Sequence, residues 1–181
     1  MPEITYFETS GIENTDRTLQ IAKKYAKENG IRSVVVASTR GYTAEKASEV
    51  FEGFDLVVVT HVSSFREPNA QEFSADLRER LEAKGTRVVT AAHAFDGVNK
   101  LADKGSIGQI IRDTLRMFCE GFKVAVEIAA MATDAGLVRT DEDIVSIAGT
   151  GKGADTALVI RPAISKGLFD LRVKKILAKP I

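Results

Sequence analysis

The residues best suited to chemistry lie close together, between two stretches of opposite character. Ser38, Thr39, Arg40, Gly41, Tyr42 and Thr43 offer aliphatic hydroxyls, a guanidinium, a phenol and a glycine. Before them stands Val34-Val35-Val36, a β-branched run that favours strand, and after them an Ala/Glu/Lys-rich stretch that favours helix. A polar turn that hands a strand over to a helix N-terminus is a ready anion site, typically for phosphate. The first amides of the helix lack intrahelical acceptors, the positive end of its dipole faces outward, and glycine lets backbone approach a ligand. The same residues have a plainer reading, in which Thr43 caps its helix and the serine and threonine fill an ordinary turn.

A second candidate is Gly149-Thr150-Gly151-Lys152-Gly153-Ala154-Asp155, set between the apolar runs Ile144 to Ala148 and Thr156 to Ile160. It departs from the P-loop, because Gly153 stands where the serine or threonine that holds magnesium should follow Lys152. It departs from the dinucleotide fingerprint too, since a strand and not a helix follows. What remains is a backbone-rich, lysine-bearing loop able to bind an anion, weighed against a flexible hairpin tip. The alternate glycines exceed what a hairpin tip requires, which favours binding with Lys152 as counter-charge.

His61 and His93 are the only histidines, and each follows an apolar run, where site residues gather. With Asp96 or Glu67 they have the types for a metal or for acid–base work. Strand-end histidines bonded to backbone are the simpler reading of either one alone. Tyr42, Phe65 and Phe95 are the aromatics of the same loops, suited either to wall a planar ring or to anchor the loops on the core. Ser63-Ser64 lacks the G-x-S-x-G elbow, and Cys119 sits in a helical apolar context that suits an inert buried thiol. Asp141-Glu142-Asp143 reads as a solvated acidic turn. No nucleophile or metal constellation emerges, and no metal is expected.

The elements that must position these groups alternate. Ile4 to Phe7 reads as a short leading strand, and Asn14 or Thr15 as the N-cap of a helix with Leu19, Ala22 and Ala26 on one face, stopped at Asn29-Gly30. Leu56 to Thr60 and Arg87 to Ala91 are apolar at consecutive positions, which suits strands covered on both faces. The polar stretch His61 to Gln71 should be a loop, and Glu72 to Lys84 a helix stopped by Gly85. From Ser106 the pattern predicts one long helix or two abutting ones, with Gly121 as break, Gly136 as stop and the second half from Ala125 largely buried. Ile176-Leu177 near the end predicts a short edge strand.

Such alternation implies a three-layer α/β/α fold around a mostly parallel sheet of about five strands. The connection through Gly149 to Asp155 is too short for a parallel crossover, so the strands it joins should be antiparallel. Ligands in open sheets of this kind bind beyond the strands' C-terminal ends, near the reversal of strand order. The loops 38–43, 61–69, 93–97 and 149–155 should gather there.

Composition bounds the function. The 181 residues predict one domain over 1–181, long enough to bury roughly 70% of its unfolded surface. The 25 basic and 25 acidic residues cancel without long like-charge runs, so neither nucleic acid nor a membrane surface is expected as partner. A single cysteine fits a reducing cytoplasm, and neither a signal peptide nor a spanning helix is apparent, so a cytoplasmic protein is expected.

The segment Val34 to Ala44, VVVASTRGYTA, is similar to the strand, Thr/Ser-rich turn and helix start of the pyruvate kinase C-terminal domain, where that turn binds the phosphate of an allosteric sugar phosphate. Over nearly its full length the chain resembles small stand-alone archaeal proteins of the pyruvate kinase alpha/beta-domain-like family. The segments that carry this are Glu13-Asn14-Thr15, Ala37 to Ala44, His93-Ala94-Phe95 and Gly149 to Thr156. The resemblance implies a five-stranded mixed sheet with one antiparallel strand, and bound flavin mononucleotide (FMN). It thereby points to Ser38, Thr39, Arg40, Gly41, Tyr42, Thr43, His93, Phe95, Gly149, Thr150, Gly151, Lys152, Gly153, Asp155 and Thr156 as cofactor-binding residues. The expected function is binding of a phosphorylated small molecule, with a flavin-dependent oxidoreductase or a regulatory sugar-phosphate-binding module as alternatives, and with a homo-oligomer left open. Pyruvate kinase activity is not expected, because that chemistry sits on a (β/α)₈ barrel of typically ~250 residues.

Overall fold

The structure is a computed structural model that describes residues 3–95 and 105–181. Seven strands form one sheet: β1 (Thr5–Phe7), β2 (Ser33–Ala37), β3 (Asp55–Thr60), β4 (Arg87–Thr90), β5 (Ile144–Ala148), β6 (Thr156–Arg161) and β7 (Arg172–Pro180). Their spatial order is β1-β7-β6-β5-β2-β3-β4. β6 is antiparallel to both its neighbours, β5 and β7, and every other pairing is parallel, so six strands share one direction.

The β-branched runs explain the middle of the sheet. Strand period sends Val34 and Val36 of β2 and Leu56 and Val58 of β3 to one face, and Val35, Val57 and Val59 to the other, each a separate core. The first face is covered by α1 (Thr15–Glu28), α2 (Tyr42–Val50) and α3 (Ala75–Ala83), through Leu19, Ala22, Ala44, Ala47, Leu77 and Leu81. The second is covered by α5 (Glu120–Asp134), with α4 (Ile107–Arg116) packed beside it through Ile111 and Leu115. The alanines of α5, among them Ala125, Ala129 and Ala132, are wholly buried and bring the helix close enough for Ser146 Oγ to donate to Ala125 O at 2.7 Å.

This winding reverses the strand order beside β2. From β2 the chain steps outward to β3 and β4 with its helices on one face, then crosses the other face through α4 and α5 and returns as β5 on the opposite side of β2. Strand order therefore reverses between β2 and β5. A crevice opens at such a reversal, beyond the C-terminal ends of the strands.

Several sequence expectations are corrected. The tail is not an edge strand: β7 lies between β1 and β6, and with β1 it brings the count to seven instead of about five. β4 is an edge, as β1 is at the other side, which leaves it only partly covered although its sequence suits burial. The helix expected from Glu72 begins at Ala75, because Ser74 accepts the Leu77 amide as N-cap. α4 and α5 part at residues 117–119 and not at Gly121, which lies in the first turn of α5. There Cys119 is the N-cap and not a mid-helix thiol, its Sγ accepting from the Phe122 amide at 3.3 Å. The stop at Gly136 holds, with φ of 69°.

Gly41 is fixed by the fold twice over. Its φ is 102°, and a Cβ there would stand 2.1 Å from Leu77 Cδ2 of α3. Gly41→Ala should cost about 1–3 kcal/mol in urea denaturation. In a Leu77→Ala background the same change should cost less, leaving mainly the backbone strain; equal costs in the two backgrounds would refute the contact.

Candidate functional site

The turn after β2 is built around Ser38. Its amide continues the sheet ladder to Val59 O at 3.0 Å, and its buried Oγ accepts from the Ala44 amide at 3.2 Å. Ser38 thus closes the first turn of α2 from six residues upstream, the capping role that the plainer reading gave to Thr43. Helix geometry leaves the amides of Tyr42 and Thr43 without intrahelical acceptors at the same point. Gly41 serves packing, since Leu77 fills the space its missing side chain leaves. Thr39 is half-buried, and Thr43 is buried.

The loop after β5 faces this turn from across the reversal. Its shape is set by Asp155, which is wholly buried. Asp155 Oδ2 accepts from the amides of Gly11 and Thr150, each at 3.0 Å, and Oδ1 accepts from Thr156 Oγ1 at 2.7 Å. Beside it Thr15 Oγ1 accepts from the Ala154 amide at 3.0 Å. Gly153 is pressed against Thr15 and Ile12, and Gly149 against Gly153 and Ala154, so neither position has room for a Cβ. Gly151 meets nothing and lies exposed beside Lys152. Asp155 and Thr156 therefore act as a staple, and Thr150, Gly151 and Lys152 form the accessible tip.

The two loops meet over Tyr42. Lys152 Nζ lies 5.7 Å from the Tyr42 ring centroid, and Lys46 Nζ, one turn along α2, lies 5.5 Å from it. Sequence reasoning did not single out Lys46. Its signal was available, because Tyr42 and Lys46 are four apart in a stretch read as helix, and such residues share a face. Lys46 also bonds Asp16 at 2.6 Å. Two ammonium groups thus lie near the Tyr42 ring at the start of α2.

One strand further out lies a second cluster. His61 follows β3, and its Nδ1 is 3.1 Å from Glu72 Oε2. Arg40 Nη2 and Arg66 Nε approach Glu72 Oε1 at 3.2 and 3.3 Å. The rings of Phe65 and His93 stand 4.5 and 5.4 Å from the His61 ring, and Phe65 and His93 are stacked at 5.4 Å. Burial alone would raise the Glu72 carboxyl, but the His61 hydrogen bond and the charges of Arg66, His61 and Arg40 outweigh it and hold the group below its ordinary range. Arg40, proposed from sequence for the phosphate turn, is the link between the two clusters. Phe95 is buried and packs in the core under α5, and its amide donates to Glu127 Oε1 at 3.2 Å, so it anchors its loop and does not wall a ligand. Glu127 in turn pairs with buried Lys123 at 2.5 Å.

Sequence proximity to the histidines does not bring every candidate together. Glu67 lies in an exposed part of the 61–69 loop, and Asp96 and Gly97 fall outside the described residues. Among the described residues no group of three or more His, Cys, Asp and Glu is placed to hold a metal. Asp141, Glu142 and Asp143 instead pair with Arg139, Arg161 and Lys174. No described helix is long and apolar enough to cross a membrane.

Glu72 gives a test of the cluster. A carboxyl held low in the folded state contributes stability above its unfolded value of 4.5, and loses it as pH falls through the lower folded value. Glu72→Gln should therefore lower stability near pH 7, with the gap to wild type closing toward about pH 3 in urea melts. A gap that stays constant across this range would contradict the pairing.

The chain is similar to a pyruvate kinase from Cryptosporidium parvum, at 10% identity and a TM-score of 0.42, over 80% of this chain and 22% of that one. A C. parvum pyruvate kinase in complex with ADP matches at 11% identity and a TM-score of 0.39, with the same coverage. The chain thus spans about a fifth of those enzymes. The profile of the pyruvate kinase alpha/beta domain matches residues 16–160, which include β2 to β5, all but the last residue of β6, and the loops after β2 and β5. On that match, this chain belongs to the pyruvate kinase alpha/beta domain family.

Proposed function

We propose that the crevice between β2 and β5 binds the phosphate of a phosphorylated small molecule, with FMN the leading candidate. The observation that carries this reading is the approach of Lys152, from the loop after β5, to Tyr42 at the N-terminus of α2, where Lys46, itself paired with Asp16, also lies. Amides without intrahelical acceptors, the helix dipole and two ammonium groups at one point favour a dianion. The donors for the phosphate are Thr39, the amides of Tyr42 and Thr43, and Lys152, with Thr150 and Gly151 at the loop tip.

The residues fit FMN at its phosphate end. At the ring end Tyr42 is the aromatic beside both loops, while Phe65 lies with the histidines toward β4 and Phe95 is withdrawn into the core. When bound, a flavin supplies hydride and one-electron chemistry. Binding is the reading favoured for this chain. A flavin-dependent oxidoreductase is the second reading, and His61 held by Glu72 is the observation that favours it. Pyruvate kinase chemistry is not proposed, because an open seven-stranded sheet is not the barrel on which it occurs. The proposal places the protein in the cytoplasm, where phosphorylated metabolites and FMN are at hand, and leaves self-association open.

FMN and riboflavin differ by the phosphate alone, so thermal shift separates them. At a hundredfold excess over Kd, FMN should raise Tm by about 5–10 °C, from ~2.7 kcal/mol of binding linkage in a domain of this size, and riboflavin by far less. Equal shifts would show that the phosphate contributes nothing.

A further inference from the structure

The phosphate turn and the His61 cluster are neighbours by register. Ala37 pairs with Val59, and the Ser38 amide continues that ladder to Val59 O. The next residues along, Thr39 and His61, therefore leave adjacent strands about 4.8 Å apart, at the same edge of the sheet. His61 is oriented from several sides. Glu72 holds Nδ1, Gln71 Nε2 donates to His61 O at 3.1 Å, and the Phe65 and His93 rings flank the imidazole. An ionised carboxylate only accepts, so Nδ1 carries the proton and Nε2 is left as the basic nitrogen. Arg40 and Arg66, both mostly exposed, each have further N–H groups beyond the contact with Glu72.

We propose that His61 is a general base for the ligand anchored at the α2 turn, with Glu72 as its positioning residue and Arg40 and Arg66 as the charges that receive the anion formed. The proposal rests on the phosphate-binding reading, and not on which compound carries the phosphate. A proton from a carbon next to a carbonyl of the ligand passes to Nε2, and the C–H bonding electrons stay on the ligand as an enolate beside the guanidiniums. The imidazolium then returns the proton to the ligand. Nothing is oxidised or reduced, and no co-reactant is consumed. The ligand class is a phosphorylated small molecule whose acidic group lies about one strand spacing, roughly 5 Å, from its phosphate. Among the described residues, Glu72 and His93 face His61, and Arg40 and Arg66 reach the other oxygen of Glu72.

Nitrogen-15 NMR of the imidazoles and amides in the full chain tests this, with inorganic phosphate as probe. Expected is His61 as the Nδ1–H tautomer, with its Nε2 resonance in the unprotonated region and shifting on the same saturation curve as the Tyr42 and Thr43 amides. Glu72→Gln should lose the tautomer preference while the two amides still respond to phosphate, and Glu72→Asp should restore part of it, whereas a merely structural Glu72 would leave the tautomer unchanged. Two results would overturn the proposal with the binding reading intact: an Nε2–H tautomer in wild type, or amides that saturate while His61 Nε2 stays still. Phosphate that moves neither amides nor imidazole would overturn both.

Discussion

The buried carboxylate of Asp155 ties together segments far apart in the chain, and the geometry of the crevice depends on it. Its oxygens accept from Gly11 in the loop after β1, from Thr150 in the loop after β5 and from Thr156 at the start of β6. A carboxylate without exposure is costly unless hydrogen-bonded, and here those bonds converge on it. The loop between β5 and β6 is thereby closed at its base, and only its tip, with Lys152, projects toward the N-terminus of α2. Thr15 makes the adjoining tie through the Ala154 amide, so the start of α1 and the loop are fixed as a unit.

Sheet topology turns that local tie into a site. Because α1 to α3 cover one face and α4 and α5 the other, the chain must return from β4 to the far side of β2, and the loops after β2 and β5 are left facing one another. The parallel register of β2 and β3 then sets His61 beside the turn after β2. Arg40 joins the two halves, belonging to the turn by sequence and to Glu72 by contact. The loops after β2 and β5 thus meet over Tyr42, and one strand further out His61 is held by Glu72.

What could be read from sequence was what depends on local residue types. The valine runs, the polar turn after β2, the glycine loop and the antiparallel joining of β5 to β6 follow from propensity, turn chemistry and loop length. What could not be read depends on distant partners. Asp155 resembled a ligand residue until Gly11, 144 positions away, was seen to claim it. Glu72 stood unnoticed at the head of an expected helix, because its role comes from a loop that folds back to His61. Phe95 looked like a rim aromatic, but its amide is drawn inward by Glu127 on a helix that sequence marked as apolar. β7 was obscured by Arg172, Lys174 and Lys175, whose charges suit an exposed edge although the strand is enclosed between β1 and β6.

The tip of the Asp155-held loop and the start of α2 are proposed to form one anion site. Calorimetric titration of FMN into wild type and Lys152→Ala at two ionic strengths tests it most directly. With Lys152 facing the phosphate, the variant should bind about 5- to 10-fold more weakly at ~20 mM salt, and the difference should shrink by ~0.5 M, where the screening length falls to a few ångströms. Equal affinities of the two proteins at low salt would contradict the account and leave the loop a hairpin tip.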